Sequence, residues 1–259
     1  MHVGRITLYA TLFYFGLYLL REMLSGSVSL SISHEQVMSW LLFNRPVWIV
    51  GQMWFLFALL YTYLYFFTFE LSGHRKWAYI IGFLMFPAYI FLAQGMHVLG
   101  IHVPNSIYRN WAVEGFAFFM LGHWIHSKEH IIDISNTALV WIFVVSTLSC
   151  LLERYLFGRD FGVNICSIPQ VAALFLYAVK NPSRHQGYVQ LLGKNCSMLI
   201  YILHPAVWNV MKMVYKAIHI DENMTALYMM PIIVLAITII ISMVCNSVKL
   251  KFSKSNINA

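Results

Sequence analysis

Ser197, Tyr201 and His204 stand at intervals of four and three in the run Ser197-Met-Leu-Ile-Tyr-Ile-Leu-His-Pro205. On a helix that spacing lines up a hydroxyl, a phenol and an imidazole along one face. An unprotonated imidazole so placed can take a proton from a substrate hydroxyl. Apolar helices ordinarily avoid a His-Pro pair, because proline removes a backbone donor and the imidazole needs a partner where no water reaches. If the helix enters a bilayer at Lys194, His204 lies about 15 Å deep, near the middle of a hydrocarbon core of roughly 30 Å. An ionisable group at that depth is by default a functional-site hypothesis. The competing reading is a neutral histidine bonded to a neighbouring helix for packing alone.

A second constellation is Arg109-Asn110-Trp111-Ala-Val-Glu114-Gly115, leading into Phe118-Phe119 and Gly122. Asn110 and Glu114 are four apart and would share a helix face, with Arg109 reaching the same carboxylate from the preceding turn. A carboxylate just inside a membrane is tolerable beside such a guanidinium. The pair either serves a substrate or only neutralises itself. The third stretch, Gly51-Gln52-Met53-Trp54-Phe55-Leu56, brings an amide and an indole donor into an aromatic helix. Alone it reads as an interfacial aromatic belt.

These residues need helices to hold them, and the composition supplies the setting. With 60% hydrophobic and 10% charged residues, the chain falls well below the charged fraction of about a quarter found in soluble domains. It reads as an all-α, polytopic integral membrane protein and as one domain, 1–259. Matching apolar runs to a span of about 20 residues predicts about eight transmembrane helices, at 3–21, 47–69, 77–97, 110–126, 132–153, 161–179, 195–217 and 225–247. The first, with Arg5 ahead of Ile6 to Leu20 and small residues at Ser25, Gly26 and Ser27, also fits a signal peptide. Val37 to Val47, interrupted by Asn44, Arg45 and Pro46, reads as an amphipathic segment lying at the interface.

Lys and Arg accumulate on the cytoplasmic side of membrane proteins. Ten of the seventeen basic residues, namely Arg5, Arg75, Lys76, Lys128, Lys180, Arg184, Lys194, Lys249, Lys251 and Lys254, fall on one side if both termini are cytoplasmic. The other seven mostly have acidic neighbours such as Glu22, Glu153, Asp160, Asp221 and Glu222. The expected localisation is therefore the cell membrane, multi-pass, with both termini inside. The net charge of +7 reads as topology and contact with anionic lipid rather than as a nucleic-acid surface. Cys150, Cys166, Cys196 and Cys245 lack metal-ligand spacing, so no metal is expected. They read as packed thiols, with a Cys150–Cys166 disulfide as the alternative.

Together the three stretches resemble acyltransferase family 3, the integral-membrane O-acyltransferases that decorate bacterial envelope sugars. The family's Trp-Phe-Leu block corresponds to Trp54-Phe55-Leu56. Its Arg-Asn-Trp stretch corresponds to Arg109-Asn110-Trp111 with Phe118, Phe119 and Gly122, and its Ser-x-x-x-Tyr-x-x-His-Pro helix to Ser197, Tyr201, His204 and Pro205. The resemblance runs from about Arg5 to the carboxyl end. It implies O-acetyl transfer from acetyl-CoA, a substrate and not a bound cofactor, to a hydroxyl of an envelope glycan or related polar acceptor. On it, His204, Arg109 and Glu114 become the candidate catalytic residues, and Trp54, Asn110, Ser197 and Tyr201 the candidate substrate-binding ones.

Family members carry two further helices, the first holding an arginine and then the histidine taken to be the general base. No counterpart precedes Arg5, and Gly16, Ile32 and Met120 stand eleven residues after Arg5, Arg21 and Arg109. The chain thus resembles helices three to ten of a ten-helix protein. The expectation is an incomplete acyltransferase, or one in which His204 has taken over the base role. Two other classes compete. A transporter or flippase for a lipid-linked saccharide would also place polar groups near the midplane, and the eleven histidines raise a membrane haem protein, although most of them fall at helix ends.

Overall fold

In hydrocarbon only a helix satisfies its own backbone within one segment, so long apolar runs fold as helices. The computed structural model describes residues 2–26, 32–45, 51–128, 132–158, 161–182 and 187–255, and no strand occurs among them. Residues 47–50, with which the second expected span opens, lie outside the described residues, as do Ser31, Arg159 and Arg184. The chain divides into two compact units, Met1–Pro182 and Ser183–Ala259.

In the first unit, α1 (His2–Ser25) runs past its expected end and stops at Gly26, whose φ of +72° suits glycine. Helix α2 (His34–Phe43) covers most of the segment expected at Val37 to Val47, begun a turn earlier by its cap. Ser33 Oγ accepts from the Gln36 N–H while the Gln36 amide oxygen accepts from the Ser33 N–H, a reciprocal capping box. Asn44, in the left-handed region at φ 48°, ends the helix. Then follow a 3₁₀ turn, Gly51–Met53, and α3 (Trp54–Leu71). Helix α4 (Arg75–Ile90) contains Pro87 and continues through a π turn, Phe91–Gly95, into a last turn, Met96–Val98. A second π turn, Trp111–Gly115, leads into α5 (Phe116–Lys128), and α6 (Asn136–Phe157) and α7 (Ser167–Lys180) complete the unit.

Five helices among the described residues are long and apolar enough to cross a membrane, against the eight expected: Val3–Leu24, Trp54–Leu71, Arg75–Val98, Asn136–Phe157 and Met224–Val248. The other three differ for physical reasons. The segment expected at 110–126 is split between the π turn and the 13 residues of α5. That expected at 161–179 is a helix only from Ser167, and its 14 residues cover about 21 Å. The third, expected at 195–217, is a longer helix whose lysines, asparagines and histidine lower its hydropathy.

The core of this unit gathers Phe86, Ala117, Leu121, Ile125, Leu139, Ala173 and Leu176 from α4 to α7. Glu153 fastens the start of α7, accepting from the N–H groups of Ile165 and Cys166 at 3.0 and 3.1 Å and from the Gln94 amide at 3.2 Å. Asn136 and Asn181 exchange amide hydrogen bonds at the other end of the α6–α7 pair. All four cysteines are free thiols, which corrects the disulfide alternative. Cys150 Sγ instead lies 3.6 Å from Ser167 Oγ. His123, one of the histidines that raised the haem reading, has Nδ1 2.7 Å from the Tyr79 hydroxyl and packs against Phe66.

Helices α4 and α5 cross closely at Gly82. A Cβ there would stand 2.6 Å from Met120 Cβ, and Met120 is fully buried. Gly82→Ala therefore forces the helices apart. A loss of about 1–3 kcal/mol is expected, read as a lowered melting temperature of the purified protein in detergent. An unchanged melting temperature would show that this crossing can relax.

The second unit is a hairpin of α8 (Tyr188–Ala217) and α9 (Met224–Ser255). Tyr215, Met230 and Val234 are buried between them, with Val207, Trp208 and Met211 packed alongside. At 30 residues, α8 is about 45 Å long, and His204 lies close to its middle.

Candidate functional site

The first-unit site is built on the turn before α5. Asn110, extended at φ −143° and ψ 177°, is the cap of the π turn. Its amide oxygen accepts from the N–H groups of Ala112 and Val113 at 2.9 and 3.0 Å. Its amide nitrogen donates to the carbonyls of Ser106 and Ile107 at 2.9 and 2.8 Å. The side chain is 4% exposed, and its two donors and two acceptor positions are all engaged. Asn110 thus precedes the helix and folds back on it, rather than sharing a face with Glu114. In this arrangement it orders the loop and keeps no hydrogen-bonding capacity for a substrate.

Arg109, freed by this cap from helical geometry, spans three groups. Its Nε lies 3.8 Å from Glu114 Oε2, and its Cζ lies 5.8 Å from the centre of the Trp54 ring, within cation–π range. Beneath it is Gly162, at φ +85°, where a Cβ would sit 3.2 Å from Arg109 Nε and 3.5 Å from the Tyr89 hydroxyl. Tyr89 in turn donates to the Phe161 carbonyl at 2.6 Å. The Arg109 side chain remains 40% exposed while that of Glu114 is 15% exposed. Glu114 Oε2 is buried and accepts no hydrogen bond. Glu114 also lines a narrow apolar seam with Phe86, Tyr89, Val113, Phe118 and Val163.

The π turn is held against α3 at close range. A Cβ on Gly115 would come 3.3 Å from Thr62 Oγ1 and 3.5 Å from Ala58 Cβ. Tyr61 and Tyr65 present ring edges to Trp111 at 6.1 and 5.5 Å. Sequence reasoning missed two residues that matter here. Gly162 carried no signal beyond being a glycine. Asn44 was read as part of a helix break, but it is fully buried, its amide donates to the Trp54 carbonyl at 2.9 Å, and its oxygen accepts from the Trp111 N–H at 2.8 Å.

In the second unit, Ser197, Tyr201 and His204 lie on one uninterrupted helix, so their spacing does place them along one face. Ser197 is exposed, and Tyr201 and His204 are half-buried. The Tyr201 and His204 rings are 5.9 Å apart, tilted. His204 Nδ1 lies 3.2 Å from the Ile200 carbonyl oxygen. A carbonyl only accepts, so this contact puts the proton on Nδ1 and leaves the lone pair on Nε2. Buried Pro205 follows within the helix and contributes no N–H to its ladder.

No curated protein and no solved structure matches the chain. A family model described as an acyltransferase domain, that of acyltransferase family 3, matches residues 2–246 and so covers both units.

Proposed function

Because the chain belongs to acyltransferase family 3 and is a multi-pass membrane acyltransferase, we propose that it transfers an acetyl group from acetyl-CoA to a hydroxyl of an envelope glycan or a related polar acceptor, with His204 as general base. The observation that carries this reading is the contact of His204 Nδ1 with the Ile200 carbonyl oxygen at 3.2 Å. With Nδ1–H directed at the Ile200 carbonyl, Nε2 is the nitrogen able to take the acceptor's hydroxyl proton. The freed oxygen then attacks the thioester carbonyl, a carbon–oxygen bond forms, the carbon–sulfur bond breaks, and CoA leaves as a thiolate that is protonated to the thiol. The ester and free CoA balance the alcohol and acetyl-CoA consumed.

Arg109 and Trp54 suit a second task, binding and orienting a polar substrate. The guanidinium is part exposed, backed by an aromatic face, and next to a buried carboxylate oxygen that accepts no hydrogen bond. That oxygen can accept from a substrate hydroxyl. Tyr201, beside His204, and Ser197, a turn earlier, can contact the same proton-losing group. On the cytoplasmic side Arg75 is paired with Glu70 and Lys180 donates to the Ile134 carbonyl, so Lys76 and Lys128 suit the CoA phosphates better.

The test is incorporation of labelled acetyl from acetyl-CoA into mild-base-labile esters, in membranes carrying the chain and in membranes lacking it. Ester formation that depends on the chain is expected. Movement of a lipid-linked saccharide across the membrane without ester formation would replace this reading with a transporter.

The orientation has its own test. In a chain whose four cysteines are replaced by serine, single cysteines near Ser31, Asn105, Arg159 and Asp221 are expected to react with an impermeant thiol reagent added outside. Those near Arg75, Lys128, Arg184 and Lys251 are expected to stay unlabelled. The opposite pattern would invert the topology.

A further inference from the structure

We infer that Asn44 is a positioning residue for the acyltransferase, a latch that fixes Trp54 relative to Arg109. The inference rests on the reading of those two residues as substrate-binding. Trp54 opens α3, whereas Arg109 precedes the π turn 55 residues later. Each stands at the start of a helical segment, and the two segments pack directly, with the Thr62 hydroxyl of α3 3.5 Å from the Trp111 carbonyl. That contact lies about two turns along α3 from Trp54, and at the Trp54 end a side chain from outside both segments bonds to each. Asn44 Nδ2 donates to the carbonyl of Trp54 itself at 2.9 Å, and Asn44 Oδ1 accepts from the N–H of Trp111, two residues after Arg109, at 2.8 Å. That N–H lies in the first turn of a helix, where no intrahelical carbonyl reaches it. Apart from these two Asn44 straps, the Trp111 indole N–H donates to the Leu42 carbonyl at 3.1 Å. The end of α2 is therefore tied to the base of both binding segments.

Asn44 has a simpler job that must be separated from this one. It stands at the end of α2 with φ 48° and ψ 32°, a conformation in which asparagine is tolerated and glycine is better. If ending α2 were its whole role, Asn44→Gly would leave the enzyme unchanged or slightly more stable. A latch makes the opposite demand, since glycine keeps the backbone and removes both straps. Asn44→Asp is intermediate. It keeps an acceptor for Trp111 but turns an oxygen toward the Trp54 carbonyl, cutting only one strap.

Two readouts decide the matter. In protein labelled with 5-fluorotryptophan, the Trp54 resonance is identified by its loss in Trp54→Phe and its dependence on the guanidinium by its shift in Arg109→Gln. Asn44→Gly and Asn44→Asp are expected to shift it in the same direction as Arg109→Gln. Acetyl transfer at saturating acetyl-CoA is expected to fall about tenfold in Asn44→Gly, the scale of one or two lost hydrogen bonds. It should fall no further when Asn44→Gly is added to Trp54→Ala. An unmoved Trp54 resonance in both Asn44 variants, or full transfer in Asn44→Gly, overturns the latch while leaving the binding reading intact. Full transfer in Trp54→Ala overturns the binding reading and the latch with it. If glycine prevents folding, the aspartate variant supplies both readouts.

Discussion

Replacing His204 with alanine is expected to lower acetyl transfer by roughly 10²- to 10⁴-fold, the contribution of a well-placed base, or about 3 to 5.5 kcal/mol of barrier. Alanine also deletes the contact to the Ile200 carbonyl, so His204→Gln is the sharper variant. Its amide can still donate to a carbonyl, but it cannot take up a proton as a base. Both variants are expected to lose transfer on this scale, and the glutamine chain should be recovered from membranes in the same amount as the parent. Activity in either variant close to that of the parent would remove His204 from the proton-transfer step.

The second large effect concerns Arg109 and Glu114. An isolated charge in a membrane protein interior costs several kcal/mol, and the cost falls when the partner is present. Here Glu114 Oε2 accepts no hydrogen bond, so the guanidinium at 3.8 Å is the main compensation for it. Arg109→Gln alone is therefore expected to reduce folded yield more than Arg109→Gln with Glu114→Gln. The coupling across the double-mutant cycle should fall between about 0.5 and 3 kcal/mol. Folded yield, measured as monodisperse protein in detergent, checks this independently of activity. Additive losses would show that the two side chains ignore each other.

What could be read from the chain alone depended on distance along it. The His204-Pro205 pair lies in one helix, so its spacing to Tyr201 and Ser197 translated directly into a shared face. Arg109 and Glu114 are five residues apart, and their approach was also legible. Asn110 was not, because the four-residue rule assumes that both residues are inside the helix, whereas Asn110 is its cap. Helix ends were misplaced for a related reason. Hydropathy reports where apolar side chains fall, and it carries no information on which N–H is the first to be paired, so α3 begins at Trp54 rather than at residue 47. Asn44 is 67 residues from its partner Trp111, and no local pattern connects them. Three expected spans are divided, short or less apolar than the other five, because hydropathy registers an apolar run and carries no information on where a turn will break it.

The π turn at Trp111–Gly115 gives the chain a place where a change in length is absorbed. A π turn holds one residue more than the α-helical ladder requires. Deleting Ala112 or Val113 would let that ladder close as ordinary α-helix, with the residues before it keeping roughly their place around the axis. The same loss within α5 has no slack to draw on, and everything before it would turn by about 100°. Arg109 would then be carried away from Trp54, while the hydropathy profile would hardly change. A single-codon loss invisible to any measure of membrane insertion would thus have opposite outcomes a few residues apart, and in gene sequences of this kind an alignment gap of one residue carries more weight within α5 than at this turn.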